Sequence, residues 1–449
     1  MTSTDLIRHH STKASIGLHS RILGVCLFLF SCSALASSGF SDAAGDPIAA
    51  VYGGKNDVVT LTASASLTQD SNLFRLAGNA NPAAFLGTPD KSDTITGTTL
   101  GVGFDKTYSM QSLKLQASIT NNRYSKFSFL NYNSTYFNGS WGWTFTPRLS
   151  GGLSLSRSQT LNNFAYVQSY VRNLNTTDNI NLDGDWWLAS RWHALFGVSE
   201  SSSNNSAQST LYISSKTTGA NVGLKYESSP GNSITFKLND LRGSYPGQPL
   251  DYVDLIDNSF SQREAELDFT WAPTGRSAFS GNLTYMKRLH DHFSQRNISG
   301  LSGTIGYEYS ISDKSSVNFK MNRVISPYFA TNTLYFDANG NTVFVLNSNY
   351  LVQNDLSVQP IWAITSKISM RMMADYGIED FKGSVVPNPG PQQHDTTRSL
   401  NLQLDWVPTK NLSLSSSLGQ TNRRSNNSFF TYDDTMVSVS ARLLLNGDF

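Results

Sequence analysis

Residues 399–406 read Ser399-Leu400-Asn401-Leu402-Gln403-Leu404-Asp405-Trp406, in which four large apolar residues alternate with four polar ones without a break. Successive side chains of a β-strand point to opposite sides. Leu400, Leu402, Leu404 and Trp406 therefore share one face, and Ser399, Asn401, Gln403 and Asp405 share the other. Residues 264–271 repeat the design, with Leu267, Phe269 and Trp271 opposite Glu264, Glu266, Asp268 and Thr270. The same period of two runs through Leu301, Ile305, Tyr307 and Tyr309, through Ile368, Met370, Met372 and Tyr376, and through Val437, Val439, Ala441, Leu443 and Leu445. From residue 57 onward, helix templates fit almost nowhere.

The chain has 449 residues, of which 39% are hydrophobic and 15% charged, with 33 Gly, 2 Cys and a formal net charge of +1. That charged fraction is well below the roughly 25% of an ordinary soluble chain. Ser, Thr, Asn and Gly take the place of the missing charge, a composition too polar for helical membrane spans and too poor in Glu, Lys and Ala for a helical protein. Near-zero net charge offers nucleic acid no basic face. A soluble sandwich would bury its apolar faces in a sheet of few strands. Here one-sided alternation extends over about 390 residues, which suits a water-filled lumen inside and lipid outside. A sheet in hydrocarbon must pair every backbone donor and acceptor, so it has to close. The expected fold is all-β: a transmembrane antiparallel β-barrel of about eighteen strands occupying residues 57–449.

Connection lengths point the same way. Short turns are expected at 105–112, 146–148, 188–191, 228–232, 272–276, 312–315, 363–367 and 407–411. Longer polar segments fall between them at 70–92, 125–130, 159–176, 203–213, 244–258, 290–297, 326–344, 382–395 and 425–431. Eight turns and nine loops connect eighteen strands, an even number that leaves both termini on one side. The turns share a local motif: Trp271-Ala272-Pro273-Thr274 recurs as Trp406-Val407-Pro408-Thr409, and Phe145-Thr146-Pro147 is a weaker copy. Proline lacks a donor and belongs where a strand ends. Beside these turns stand Trp141, Trp143, Phe145, Trp186, Tyr226, Trp271, Tyr309, Trp362 and Trp406. They read as the aromatic girdle at the periplasmic headgroup layer, against the alternative of core aromatics.

At the N-terminus, Arg8, Lys13 and Arg21 precede an apolar run over residues 22–30, and Ala34-Leu35-Ala36 supplies the small residues that a signal peptidase reads. Residues 1–36 are expected to be a cleaved signal peptide and 37–56 a short periplasmic segment. The apolar run is about half the roughly 20 residues that a membrane anchor needs. A lipoprotein reading through Cys32 is opposed by Phe30, where that motif prefers a small residue. Cys26 and Cys32 both lie in the leader, so the mature chain would have no thiol, disulfide or cysteine metal site. Phe449 shares the parity of Leu443 and Leu445, as suits a last strand handled by the barrel-assembly machinery.

The catalytic-looking constellations each have a simpler reading. Glu264, Glu266 and Asp268 line one strand face and could act as acid and base, although carboxylates facing a wet lumen need no such role. His290-Asp291-His292 places two imidazoles at metal-pair spacing in an expected surface loop without a third ligand. No Ser stands in a Gly-x-Ser-x-Gly turn with a base. Gly101-Val102-Gly103 lacks the helix that a dinucleotide site requires. No enzyme activity and no cofactor are expected.

Parity instead gives an inventory of lumen residues. Expected inward residues are Arg148, Asp183, Asp185, Trp187, Lys225, Lys237, Glu264, Glu266, Asp268, Glu308, Lys320, Arg371, Asp375 and Asp405, joined by Lys114, Glu227, Glu379 and Arg442. The mixture of signs predicts no strong charge selectivity and suits a polar solute of modest or no charge. Trp187 is a candidate sugar platform, or a ring that simply closes its turn.

Residues 70–76, Asp70-Ser71-Asn72-Leu73-Phe74-Arg75-Leu76, together with the repeated Trp-x-Pro-Thr turns and the chain length, resemble the EpsL-type outer-membrane barrels of exopolysaccharide operons, within the broader β-barrel porin class. The resemblance implies export or assembly of a secreted polysaccharide in the Gram-negative outer membrane, beside periplasmic polysaccharide-export proteins. It carries over no catalytic residue. The alternatives are a general or substrate-specific diffusion porin, and an adhesin or receptor that uses loops such as 159–176.

Overall fold

The computed structural model describes residues 58–447, apart from 167–169, 230, 254, 337–341 and 385–391. The expected signal peptide, the segment 37–56, both cysteines and Phe449 lie outside the described residues. The first nine strands are β1 (Val59–Asp70), β2 (Asp93–Tyr108), β3 (Gln111–Tyr124), β4 (Tyr132–Thr146), β5 (Leu149–Leu161), β6 (Leu174–Ala189), β7 (Trp192–Asn205), β8 (Ser215–Ser229) and β9 (Asn232–Ser244). The second nine are β10 (Ser259–Thr274), β11 (Ser277–His290), β12 (Ile298–Ser312), β13 (Ser315–Phe336), β14 (Thr342–Ala363), β15 (Ile368–Lys382), β16 (His394–Thr409), β17 (Leu412–Ser425) and β18 (Tyr432–Gly447). Each pairs antiparallel with its neighbours in sequence, and β1 pairs with β18 from Val59↔Gly447 to Asp70↔Met436. The sheet is thus a closed eighteen-stranded antiparallel barrel. Closure removes the two edges that would otherwise expose unpaired backbone groups.

Large apolar side chains line the outside. Leu61, Leu100, Val222, Leu238, Met321, Leu402 and Val439 are all exposed, Leu100 and Val222 to about 60%. In water, such a continuous band would be an aggregation liability; against acyl chains it is the favoured surface. The nine girdle aromatics all occupy outward positions near the short turns. Several stack with neighbours, as in Trp143 on Phe145 at 4.4 Å and Phe279 between Trp271 and Tyr307 at 5.4 and 4.5 Å. Trp143 is the buried exception, because its indole covers Gly151, where a Cβ would meet the ring at 2.3 Å.

All eight expected short turns are chain reversals. In four of them a threonine hydroxyl closes the turn: Thr146 accepts from the Leu149 N–H at 3.0 Å, Thr274 from Arg276 at 3.3 Å, Thr365 from Ile368 at 3.0 Å and Thr409 from Leu412 at 3.2 Å. The Trp-x-Pro-Thr motif therefore combines a ring at the lipid border, a residue without a donor where pairing stops, and a hydroxyl that satisfies the turn's amides. Register shifts fall at Trp271/Thr274 and Trp406/Thr409.

One expected loop is corrected. Residues 326–344 are not a long loop, since β13 continues to Phe336 and β14 begins at Thr342, and the two pair along that length. Tyr328, Phe329, Thr331, Thr333, Val343 and Val345 favour strands. Register shifts at Pro327/Ala330 and Ala330/Thr333 break the alternation by which the strand would be recognised.

Candidate functional site

The outward band fixes the opposite parity as the wall of the lumen. Asp183, Asp185, Trp187, Lys225, Lys237, Glu264, Glu266, Asp268, Glu308, Lys320, Arg371, Asp375 and Asp405 all occupy inward register positions. Arg148 does not. It sits in the turn between β4 and β5, because Pro147 ends the strand before the alternation reaches it.

A polar ladder climbs the wall formed by β9, β10 and β11. The Lys237 ammonium, almost fully buried, donates to Glu266 at 3.3 Å and to Asp268 at 2.6 Å. Asn239 donates to Glu264 at 3.1 Å and to Glu266 at 2.9 Å, while Asn282 donates to Glu266 at 2.9 Å and to Asp268 at 2.5 Å. Gln262 donates to Glu264 and accepts from Arg288 at 2.6 Å, and Arg288 reaches the Tyr245 hydroxyl at 3.0 Å. Glu264 is held here by side-chain amides rather than by a cation. The three carboxylates are thus held in the wall by a dense set of side-chain donors.

A second group lies on β15, β16 and β17. Arg371 pairs with Asp405 at 3.0 Å, and Gln403 and Ser415 donate to the same carboxylate at 2.7 Å each. Higher up, Arg423 lies between Glu379, at 2.9 Å, and Asp395, all three nearly inaccessible. The 162–173 loop joins this group: the Tyr166 hydroxyl donates to Glu379, the Ala165 carbonyl accepts from Arg423 at 2.9 Å, and the guanidinium lies 4.8 Å from the Tyr166 ring centre. That loop springs from β5 and β6, at least six strands around the wall from β15 and β17. A chord of that length crosses the mouth of the lumen.

The crossing loop is anchored at its near side by an aromatic core. Phe164 and Phe127 lie 4.7 and 4.8 Å from the fully buried Phe74, with Tyr170 at 5.6 Å and Leu73, Leu76 and Leu130 around them. Phe74 belongs to the 70–76 segment, which forms a tight knot. Arg75, at φ +54°, pairs with Asp70 at 3.0 Å and with Asp434 at 3.2 Å, while Asn72 bonds both the amide and the carbonyl of Leu76. Burial opposes the Arg75 charge, but the two carboxylates outweigh it and raise the guanidinium above its ordinary value. The described parts of three loops, 71–92, 125–131 and 162–166 with 170–173, thus pack together over the barrel.

The remaining candidates have local roles. The Trp187 indole N–H donates to the Ser190 carbonyl at 3.0 Å, closing its turn. His193 meets Asp185 at 2.6 Å inside the barrel. His290 and His292 do not converge: His290 ends β11, whereas the His292 ring meets Asp257 at 3.0 Å. Asp257 is buried, which favours its neutral form, yet the His292 ring and the amides of His292, Phe293 and Ser259 prevail and hold it below its ordinary value. Among the described residues, no cluster of three or more His, Cys, Asp or Glu side chains is placed to hold a metal ion.

The expected balance of lumen charge is corrected by the register. Asp70, Asp93, Asp355, Asp395 and Asp434 also face inward, as do the cations Arg288 and Arg423. Inward acids on the strands outnumber inward Lys and Arg by about two to one. Asp70 and Asp395 lie at the ends of the expected loops 70–92 and 382–395, yet both belong to strands. Arg423 is within reach of the alternation, since Ser413, Ser415 and Ser417 lead to it by steps of two. Lys320 and Glu308 are exposed to the lumen and make no ion pair among the described residues.

No protein-family model matches the chain, and no curated protein does. Among solved structures, the chain is similar to the outer membrane protein OprD of Pseudomonas aeruginosa, with 10% identity, 88% of this chain and 94% of that chain covered, and a TM-score of 0.45. OccAB3 of Acinetobacter baumannii gives 10% identity, 87% and 100% coverage, and 0.47. OpdK of Pseudomonas aeruginosa, solved with vanillate, gives 11%, 86% and 99%, and 0.45. At such low identity and superposition, nothing about solute or mechanism passes from those proteins to this chain.

Proposed function

We propose that this chain is a diffusion channel of the Gram-negative outer membrane that admits small polar solutes and prefers cations. The observation that carries the reading is the pairing of an outward apolar band with an inward wall rich in carboxylates. A barrel of this kind is stable only in lipid, and a water-filled passage with excess negative charge raises the local concentration of cations and repels anions. The 162–173 loop, tied across the mouth by Tyr166 and Arg423, narrows the entrance and selects by size.

The same tether argues against polysaccharide export, because a polymer would have to displace a buried ion-pair cluster to pass. The glycan role implied by the sequence resemblance, and the periplasmic export partners that go with it, have no geometric feature in their favour. Adhesion through residues 159–176 has little apolar surface from Phe164 and Ala165, which are buried.

Liposome swelling tests the proposal. Vesicles containing the purified barrel should swell faster with lysine or arginine than with glutamate of similar size, and hardly at all with a long dextran. Equal rates for cation and anion would remove the charge preference, and rapid dextran entry would remove the size limit.

A further inference from the structure

The outer surface carries the opposite charge pattern to the lumen. Near the long loops, outward positions hold the acids Asp178, Glu200, Asp240, Asp380 and Asp433, and each is paired with a cation of a neighbouring position. Arg123, Arg242, Lys287, Arg323 and Arg398 remain in excess, outward and without an acidic partner among the described residues. At the short-turn end, the outward surface is instead the aromatic girdle. The long-loop rim is therefore basic, whereas the short-turn rim carries the aromatic girdle beside turn cations such as Arg276, Lys314 and Lys367.

Within the basic rim lies a groove of about 570 Å³ on the outside of β15, β16 and β17, lined by Tyr376, Thr396, Arg398, Asn422 and Arg424. Register makes these five residues one surface: Arg398 stands opposite both Tyr376 and Asn422, and Thr396 opposite Arg424. The Arg398 guanidinium lies 5.9 Å from the Tyr376 ring centre. Arg424 is half exposed and pairs with Asp433 at 3.0 Å, and the Asn422 amide donates to the same carboxylate, so among the described residues Arg398 is the groove's unpaired cation and leaves it with a net positive charge. On β16 the outward residues from Trp406 run Leu404, Leu402, Leu400 and then Arg398. Eight residues of tilted strand cover about 20 Å, most of the roughly 25 Å height of a barrel's apolar band, which sets Arg398 near its upper border with the headgroups.

From this placement we infer that the groove binds a phosphate of a phosphorylated glycolipid in the outer leaflet, with Arg398 and Arg424 as the charged donors and Thr396 as a neutral one. Guanidinium groups match phosphate in geometry, the Tyr376 ring sits at the depth that favours aromatic anchors, and the apolar wall below accepts the acyl chains. A soluble phosphate source would gain nothing from that wall. The inference rests on the membrane placement alone and is independent of which solute the lumen admits.

The test uses the purified full chain in neutral detergent, titrated with bisphosphorylated lipid A, with the same lipid after removal of both phosphates, and with inorganic phosphate, bound lipid being counted by native mass spectrometry. Lipid A should stay bound to the wild type, and Arg398→Gln/Arg424→Gln should weaken it about tenfold or more, as expected from losing charge-assisted hydrogen bonds. Arg398→Lys/Arg424→Lys should retain part of the binding, and Arg276→Gln at the other rim should leave it unchanged. If the double glutamine variant fails to form a heat-modifiable barrel, Arg398→Gln alone carries the comparison, since that side chain has no ion pair to lose. Equal binding of wild type and variant, equal binding of the dephosphorylated lipid, or full competition by millimolar inorganic phosphate would each overturn the inference.

Discussion

The two faces of the same strands near the long loops differ in sign. Inside, Glu379, Asp395, Asp434 and Asp70 surround single arginines in nearly dry clusters. Outside, Arg398, Arg424 and their neighbours stand exposed with cations in excess. Steps of one residue separate the two environments, as between Arg423 and Arg424 or Thr397 and Arg398. Consecutive arginines in sequence thus do unlike work, one locking a loop across the entrance and one meeting the surrounding headgroups. In a barrel, position along the strand sets depth and parity sets solvent, so a residue type has no role until both are known.

The largest expected effect comes from breaking the inner half of that contrast. Arg423→Gln would leave Glu379 and Asp395 buried without their cation, a loss of about 3–5 kcal/mol for a group of this kind. The 162–173 loop should release, raising single-channel conductance and opening the loop to protease. The neighbouring Arg424→Gln should change neither, and an unchanged conductance in Arg423→Gln would show that the loop does not constrict the lumen.

A second knot, around Asp257, should respond to acid. Its folded pKa lies below the ordinary 3.8 because four donors favour the carboxylate over the burial that opposes it. Its contribution is therefore complete above the unfolded value and fades as pH falls through the lower, folded one. Amide exchange at His292 and Phe293 should stay slow down to about pH 4 and quicken below it, whereas Asp257→Asn should be fast throughout, at a cost of about 1–3 kcal/mol. Protection lost already near neutral pH would contradict this account.

At the short-turn rim, effects should be small. Thr409→Ala removes one exposed hydroxyl acceptor from the Leu412 amide, worth about 0.5 kcal/mol, and should lower the heat-modification midpoint slightly while leaving conductance alone. In permeation, the loss of fixed charge should show modestly: Glu264→Gln/Glu266→Gln should reduce the ratio of cation to anion permeability about twofold, because other inward carboxylates remain. An unaltered ratio would mean that these residues lie outside the narrow path.

How much of this could be read from the sequence depends on where alternation holds. Across 399–406 and 264–271 the pattern is unbroken, and parity there assigns Asp405, Glu264, Glu266 and Asp268 to the wall directly. Pro147 ends the pattern one residue too early for Arg148, and the register shifts after Pro327 hide nine residues of β13. The tether is a different matter. Tyr166 and Glu379 are 213 positions apart, and no local pattern reports which loop crosses a closed ring to which strand. The 70–76 segment falls in the expected polar loop 70–92, and its knot depends on contacts that no local pattern reports. Asp434 as the second partner of Arg75 becomes visible only once β1 and β18 are adjacent.

The central claim, an aqueous lumen with excess fixed negative charge inside a lipid-facing wall, is most directly tested by the zero-current potential of the wild-type protein in a planar bilayer separating unequal KCl solutions. Open channels should give a potential with the sign of potassium moving down its gradient. A potential set by chloride, or bilayers that stay non-conducting with correctly folded protein inserted, would contradict it.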